Sequence, residues 1–122
     1  MKYLVTGGAG FIGSTLVKQL SEYGAIITVL DNFSSGKKHY LPKYKKLKIL
    51  KGDIEDTKIV DKAVKDQEVV FNLAALPFIP DSYYYPKNFF QVNTIGTMNV
   101  LWSSIKSKSA ESFVQISTSE VY

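Results

Sequence analysis

The chain has no cysteine. That excludes disulfides, thiolate metal sites and a cysteine nucleophile, and it suits a reducing cytoplasm. No apolar run is long enough to span a bilayer. The amino terminus enters a strand-like run directly, without a basic segment leading into an apolar one, so no secretory signal is expected. No Gly/Ser- or Pro-rich linker divides the 122 residues and no repeat of solenoid length recurs. Residues 1–122 are therefore expected to form one domain. Histidine occurs once, as His39, with no partner in view to orient it, and reads as a surface loop residue. What is present, 45% hydrophobic and 21% charged residues, is an ordinary globular balance with enough chain for a core.

A strand that runs straight into a glycine-punctuated turn carries the most information. Lys2-Tyr3-Leu4-Val5-Thr6 leads into Gly7-Gly8-Ala9-Gly10-Phe11-Ile12-Gly13, followed by an apolar-periodic stretch and a second strand-like run ending on Asp31. Gly7 permits a tight turn, Gly10 lets a pyrophosphate approach the backbone, and Gly13 lets the helix pack close to the sheet. The helix amino terminus offers free N–H groups and a positive dipole end to phosphates. Asp31 lies where an acid accepts hydrogen bonds from adenosine ribose hydroxyls. The pattern predicts dinucleotide binding. A carboxylate at Asp31 repels a ribose 2′-phosphate, which favours NAD over NADP even with Lys37 and Lys38 nearby.

Short, β-branched apolar runs at residues 3–5, 26–30, 47–50, 69–73 and 113–116 read as strands buried on both faces. Helical patterns fill residues 11–23, 56–65 and 88–105. The alternation predicts an α/β fold, a Rossmann-like doubly wound parallel sheet of about five strands in the order 3-2-1-4-5. The chain's excess charge, +4 in total, concentrates at Lys37, Lys38, Lys43, Lys45, Lys46, Lys48 and Lys51. No nucleic-acid-binding motif accompanies these lysines, so a solvated loop and short helix near the cofactor's anionic end is expected, with neither nucleic acid nor membrane as partner.

Six ordered motifs spread over the whole chain resemble the nucleotide-sugar epimerase/dehydratase group of extended short-chain dehydrogenases/reductases. They are Thr6–Gly13, Asp31-Asn32-Phe33-Ser34-Ser35-Gly36, Gly52-Asp53-Ile54, Asn72-Leu73-Ala74-Ala75, Val92-Asn93-Thr94-Ile95-Gly96-Thr97 and Ser117-Thr118-Ser119-Glu120-Val121-Tyr122. The resemblance implies that Gly7, Gly10, Phe11, Ile12 and Gly13 hold the pyrophosphate. It assigns Asp31 and Asn32 to the adenosine ribose, with Ser34 and Gly36 nearby, and Asp53 and Ile54 to the adenine. Leu73, Ala74 and Ala75 would line the path to the nicotinamide ribose, with Asn93 as a support behind that strand end. Plainer roles stand beside these: Asp53 as a helix cap, Ala74 and Ala75 as packing residues, Asn93 as an exposed helix residue.

The chemistry implied by the resemblance is oxidation of a sugar C4 hydroxyl with bound NAD. The substrate would be a UDP- or dTDP-linked sugar. Thr118 resembles the family's assisting hydroxyl residue and Glu120 the glutamate that acts near the sugar's C5 and C6. Thr118-Ser119-Glu120 is similar to UDP-glucuronate decarboxylases and some UDP-N-acetylhexosamine 4,6-dehydratases, and departs from the Thr-Asp-Glu of dTDP-glucose 4,6-dehydratases. No metal is implied. The family's Tyr-x-x-x-Lys pair is expected on a helix beyond Tyr122. Tyr44 with Lys48, and Tyr83 with Lys87 around Pro86, match that string without the geometry for it. The expectation is the NAD-binding part of such an enzyme, incomplete, without a substrate domain and inactive alone. The alternative is a non-catalytic dinucleotide-binding or interaction module. The apolar stripe of residues 88–105 is either core or, as the resemblance implies, a homodimer face. The aromatic-rich stretch 76–85 is expected to be a loop, facing the sugar or stapling the long helix.

Overall fold

Alternation within the short apolar runs decides the architecture. The computed structural model describes residues 1–119. In β1 (Lys2–Thr6), Leu4 points to one face of the sheet and Val5 to the other, and both are fully buried. β2 (Ile26–Asp31) repeats this, with Ile27 and Val29 on one face and Leu30 on the opposite one. A strand buried on both faces needs helices on both faces, and the connections supply them. α1 (Phe11–Glu22) lies on the Val5 face, where Val17, Ala25, Ile27 and Val29 form one core. On the Leu4 face, α2 (Thr57–Val64) packs with a later helix around Leu30, Val60, Val64, Val70 and Val100.

β3 (Leu47–Lys51), β4 (Val69–Asn72) and β5 (Ser112–Gln115) complete a parallel sheet in the order β3-β2-β1-β4-β5. Leu4 sits opposite Thr28 on one side and Val70 on the other. Asp31 ends opposite Lys51. The expected strand number, order and direction are those observed. The order reverses at β1, so the carboxyl ends of β1, β2 and β4 diverge around a crevice, the usual ligand position in open α/β sheets.

Local chemistry sets the helix ends. Asp56 caps α2, its carboxylate accepting from the Lys58 N–H at 3.0 Å. The stretch expected to be a loop contains a short helix, α3 (Ile79–Tyr84), with Pro80 in its first turn, where a missing N–H costs nothing. The long helix begins as α4 (Pro86–Phe90), widens to π geometry over Gln91–Gly96, and continues as α5 (Thr97–Ser107). The wide turn shifts the phase of the apolar stripe. Val100, Ser103 and Ser104 face inward, while Met98, Leu101, Trp102 and Ile105 are exposed. Those four residues are therefore not core, whereas Val92, earlier in the stripe, packs against the core of the Leu4 face.

Candidate active site: a dinucleotide-sized cleft

Gly7 leaves β1 with φ +66°, the left-handed region that side chains disfavour. A Cβ there would also fall 2.8 Å from the Ala74 nitrogen. Its N–H donates to the Leu30 carbonyl at 2.8 Å, which ties the turn to β2. Gly13 does something slightly different from the expected packing against the sheet. Its missing Cβ makes room for the Gly7 carbonyl oxygen and for Gly8 Cα, so α1 seats against its own entry turn. Gly10 caps α1 with no side-chain hydrogen bond. The first-turn N–H groups of Phe11, Ile12 and Gly13 have no acceptor within the helix and stand at its positive end.

Asp31 is 7% exposed, at the carboxyl end of β2. One carboxylate oxygen accepts from the Ala9 N–H at 2.9 Å and the other from the Phe33 N–H at 2.8 Å. The acid thus joins the glycine turn to the loop after β2. Asn32 accepts from the Ser34 N–H at 2.9 Å and donates to the Asp53 carboxylate at 3.1 Å. The second oxygen of Asp53 accepts from the Glu55 N–H at 2.9 Å. Asp53 therefore shapes the turn after β3, while the capping role falls to Asp56. Gly36 packs against Ala9, with space for a hydrogen only, and Lys37 N–H donates to the Ala9 carbonyl at 3.0 Å.

The exit from β4 is held by a buried polar network. Thr6 and Asn72 are fully buried, and the Thr6 hydroxyl donates to the Asn72 side-chain oxygen Oδ1 at 2.5 Å. The same hydroxyl oxygen accepts from the Leu73 and Ala74 N–H groups, each at 3.2 Å. Asn72 donates onward to Gln115 at 2.9 Å and Thr97 at 3.3 Å. Farther out, the Asn93 carboxamide pairs with the backbone of Leu76, accepting from its N–H at 2.8 Å and donating to its carbonyl at 3.1 Å. Asn93 sits in the π-helical turn, so this turn and the loop after β4 are clamped together.

These elements enclose a cleft of about 520 Å³, within the size range of cofactor sites. Of the fifteen residues expected to form the cofactor site, fourteen line it: Gly7, Gly10, Phe11, Ile12, Gly13, Asp31, Asn32, Ser34, Gly36, Asp53, Ile54, Leu73, Ala74 and Ala75. Asn93 does not line it and acts on it through Leu76, which does. Tyr40, Leu76, Pro77 and Ile116 also line the cleft, though no motif singled them out, as does Val92, which opens the fifth motif without an expected role. Nor was the Thr6–Asn72 network foreseen; polar residues ending two buried strands were its available signal. Thr118 follows β5 by three residues, is exposed, and lies two residues beyond the lining residue Ile116. Glu120 lies outside the described residues. Tyr44 is structural, its hydroxyl donating to the Ala25 carbonyl at 2.8 Å, and Tyr83 and Lys87 sit on separate helices. Among the described residues no cluster of His, Asp or Glu is arranged to hold a metal, and no helix is long and apolar enough to cross a membrane.

The cradle suits a pyrophosphate on structural grounds. Its floor is glycine where a Cβ would collide, and helix donors face it with no side chain competing for them. The fold and cleft define a dinucleotide-binding α/β protein. More particularly, residues 3–122 match the NAD dependent epimerase/dehydratase family, and the chain belongs to it. It is 37% identical over 120 residues to the UDP-N-acetyl-alpha-D-glucosaminuronate decarboxylase of Bacillus cytotoxicus, covering 98% of this chain and 37% of that protein. A UDP-N-acetylglucosamine 4-epimerase from Methanobrevibacter ruminantium, solved with UDP-N-acetylmuramic acid, superposes with a TM-score of 0.92 at 35% identity, over 99% of this chain and 39% of that one. The Thermus thermophilus UDP-glucose 4-epimerase, solved with NAD, gives 0.82 at 34% identity, over 89% and 35%. The chain thus spans little more than a third of the length of these relatives.

Proposed function

We propose that this chain is the NAD-binding part of an enzyme that epimerises, dehydrates or decarboxylates a UDP- or dTDP-linked sugar after oxidising its C4 hydroxyl. The observation that carries this is the convergence of the four strand-end segments on one cleft at the point where strand order reverses. In this reading Gly7, Gly10 and the first turn of α1 hold the pyrophosphate. Asp31 and Asn32 meet the adenosine ribose beside Ser34 and Gly36, and Asp53 with Ile54 bounds the adenine. Leu73, Ala74 and Ala75 border the nicotinamide ribose, with Asn93 positioning that edge. Bound NAD supplies the hydride acceptor. Thr118 hydrogen-bonds the reacting sugar hydroxyl, and Glu120 acts near C5 and C6. The exposed Met98, Leu101, Trp102 and Ile105 form a self-association face. The setting is cytoplasmic.

Gly10 offers a direct test. A Cβ added there meets only the Gly7 carbonyl oxygen, at 3.3 Å, a tight contact relieved by a shift of a few tenths of an ångström, whereas phosphate approach is obstructed. Calorimetric titration is expected to show saturable NAD binding by the unmodified protein, weakened about tenfold or more in Gly10→Ala, with the melting temperature little changed. Equal affinity in both proteins would remove the glycine turn from the site.

A further inference from the structure

Positive charge is distributed unevenly over the molecule. Residues 32–52 contain seven lysines and no acid, within a chain whose net charge is +4, so the remainder is net negative. The chain contains no arginine. Among the described residues none of these lysines enters an ion pair; the ion pair present is Lys106–Asp61, at 3.6 Å.

Three of the seven stand at the mouth of the cleft. Lys37 follows the lining residue Gly36, and its N–H bond to Ala9 fixes it beside the glycine turn. Lys38 opens the short turn Lys38–Tyr40, whose Tyr40 lines the cleft. Lys51 ends β3 opposite Asp31 and precedes the lining residue Gly52. All three are exposed. The cleft itself holds the carboxylates of Asp31 and Asp53, with Glu55 and Asp56 just beyond. An incoming pyrophosphate therefore meets negative charge inside and positive charge at the entrance.

We propose that Lys37, Lys38 and Lys51 form an electrostatic rim that speeds capture of an anionic dinucleotide by this cleft. The proposal rests on the dinucleotide reading given above. The rim acts on association and not on the bound state. Lysine ammonium groups are compact, strongly hydrated and flexible, unlike the planar fork of arginine that clamps a phosphate. Charges at the edge of a binding site change the association rate and its salt dependence more than dissociation.

Stopped-flow fluorescence with NADH as probe tests this. The variant Lys37→Gln/Lys38→Gln/Lys51→Gln is compared with Lys2→Gln/Lys45→Gln/Lys65→Gln. The second removes equal charge at the amino-terminal edge of the sheet, where Lys2 starts β1, Lys45 precedes β3 and Lys65 follows α2. At about 0.1 M ionic strength the Debye length is about 10 Å, so distant charges are screened while those at the mouth are not. The rim variant is expected to associate roughly threefold more slowly there, with dissociation unchanged, and to match the unmodified protein near 1 M, where the Debye length is about 3 Å. An unchanged association rate, an equal loss in the distal variant, or a change confined to dissociation would overturn the rim. Absence of saturable NADH binding by the unmodified protein would overturn the dinucleotide reading and the rim with it.

Discussion

At the scale of single residues, the acids of the cleft organise backbone, and in the proposed site they also meet the ligand. Asp31 gives one oxygen to the Ala9 N–H and the other to the Phe33 N–H, yet each carboxylate oxygen accepts more than one bond. Asp31→Asn replaces one acceptor with a donor that faces an N–H. Hydrogen bonds to charged groups contribute about 1.5–3 kcal/mol, so NAD affinity is expected to fall between about tenfold and a hundredfold by calorimetry. The preference over NADP should narrow as the repulsion of a 2′-phosphate is lost. Thr6→Val keeps the shape of the side chain and removes its hydroxyl. The Ala74 N–H and the Asn72 side-chain oxygen then lose their Thr6 partner, while the Leu73 N–H keeps the Thr6 carbonyl. Burying such groups unpaired costs about 1–3 kcal/mol each, less where they find water. We expect about 3 kcal/mol of lost stability from urea unfolding. A variant as stable as the unmodified protein would show that the network contributes nothing.

At the scale of elements, the π-helical turn is the unusual feature. It places Asn93 against Leu76 while Gly96 passes Ile54 so closely that a Cβ would lie 2.5 Å from the Ile54 side chain. Asn93→Ala frees the loop after β4. Its two bonds are exposed, so global stability should change by only about 1 kcal/mol, while amide exchange at Leu76 accelerates. Unaltered exchange would assign no clamping role to Asn93. The elements were legible in the sequence to different degrees. Strands such as Ile26–Asp31 announce themselves, because burial on both faces demands a continuous β-branched run. The cleft residues from Gly7 to Ala75 were legible because phosphate contact requires glycine and ribose contact an acid at fixed positions along a strand-turn-helix unit. The π turn was not legible, since Val92, Ile95, Met98, Leu101 and Ile105 recur at steps of three or four, as in an ordinary helix. It hid the outward rotation of Met98 and Trp102. α3 was missed because Pro80 and three consecutive tyrosines resemble loop punctuation, though proline is favoured in a first helical turn.

At the scale of the whole molecule, apolar surface remains outside the two cores in several places, two of them away from the aromatic-rich α3. One is the stripe of Met98, Leu101, Trp102 and Ile105, each at least 40% exposed. The proposed self-association through it predicts that Trp102→Asp shifts light scattering at high concentration to the monomer mass without altering NAD affinity; a monomeric unmodified protein would contradict it. The other is an apolar groove of about 420 Å³ between α1 and the β4–β5 side, lined by Ile12, Leu16, Phe71 and Ile116. The dinucleotide cleft lies between sheet and loops at the carboxyl edge, and its four segments are far apart in sequence. An NMR titration of the uniformly 15N-labelled protein with NAD therefore tests the central claim most directly. The account predicts saturable shifts of amides at residues 7–13, 31–36, 52–54 and 73–76, with the outer face of α5 unmoved. Shifts confined to α5 or to the Phe71–Ile116 groove, or no shifts at millimolar NAD, would contradict it.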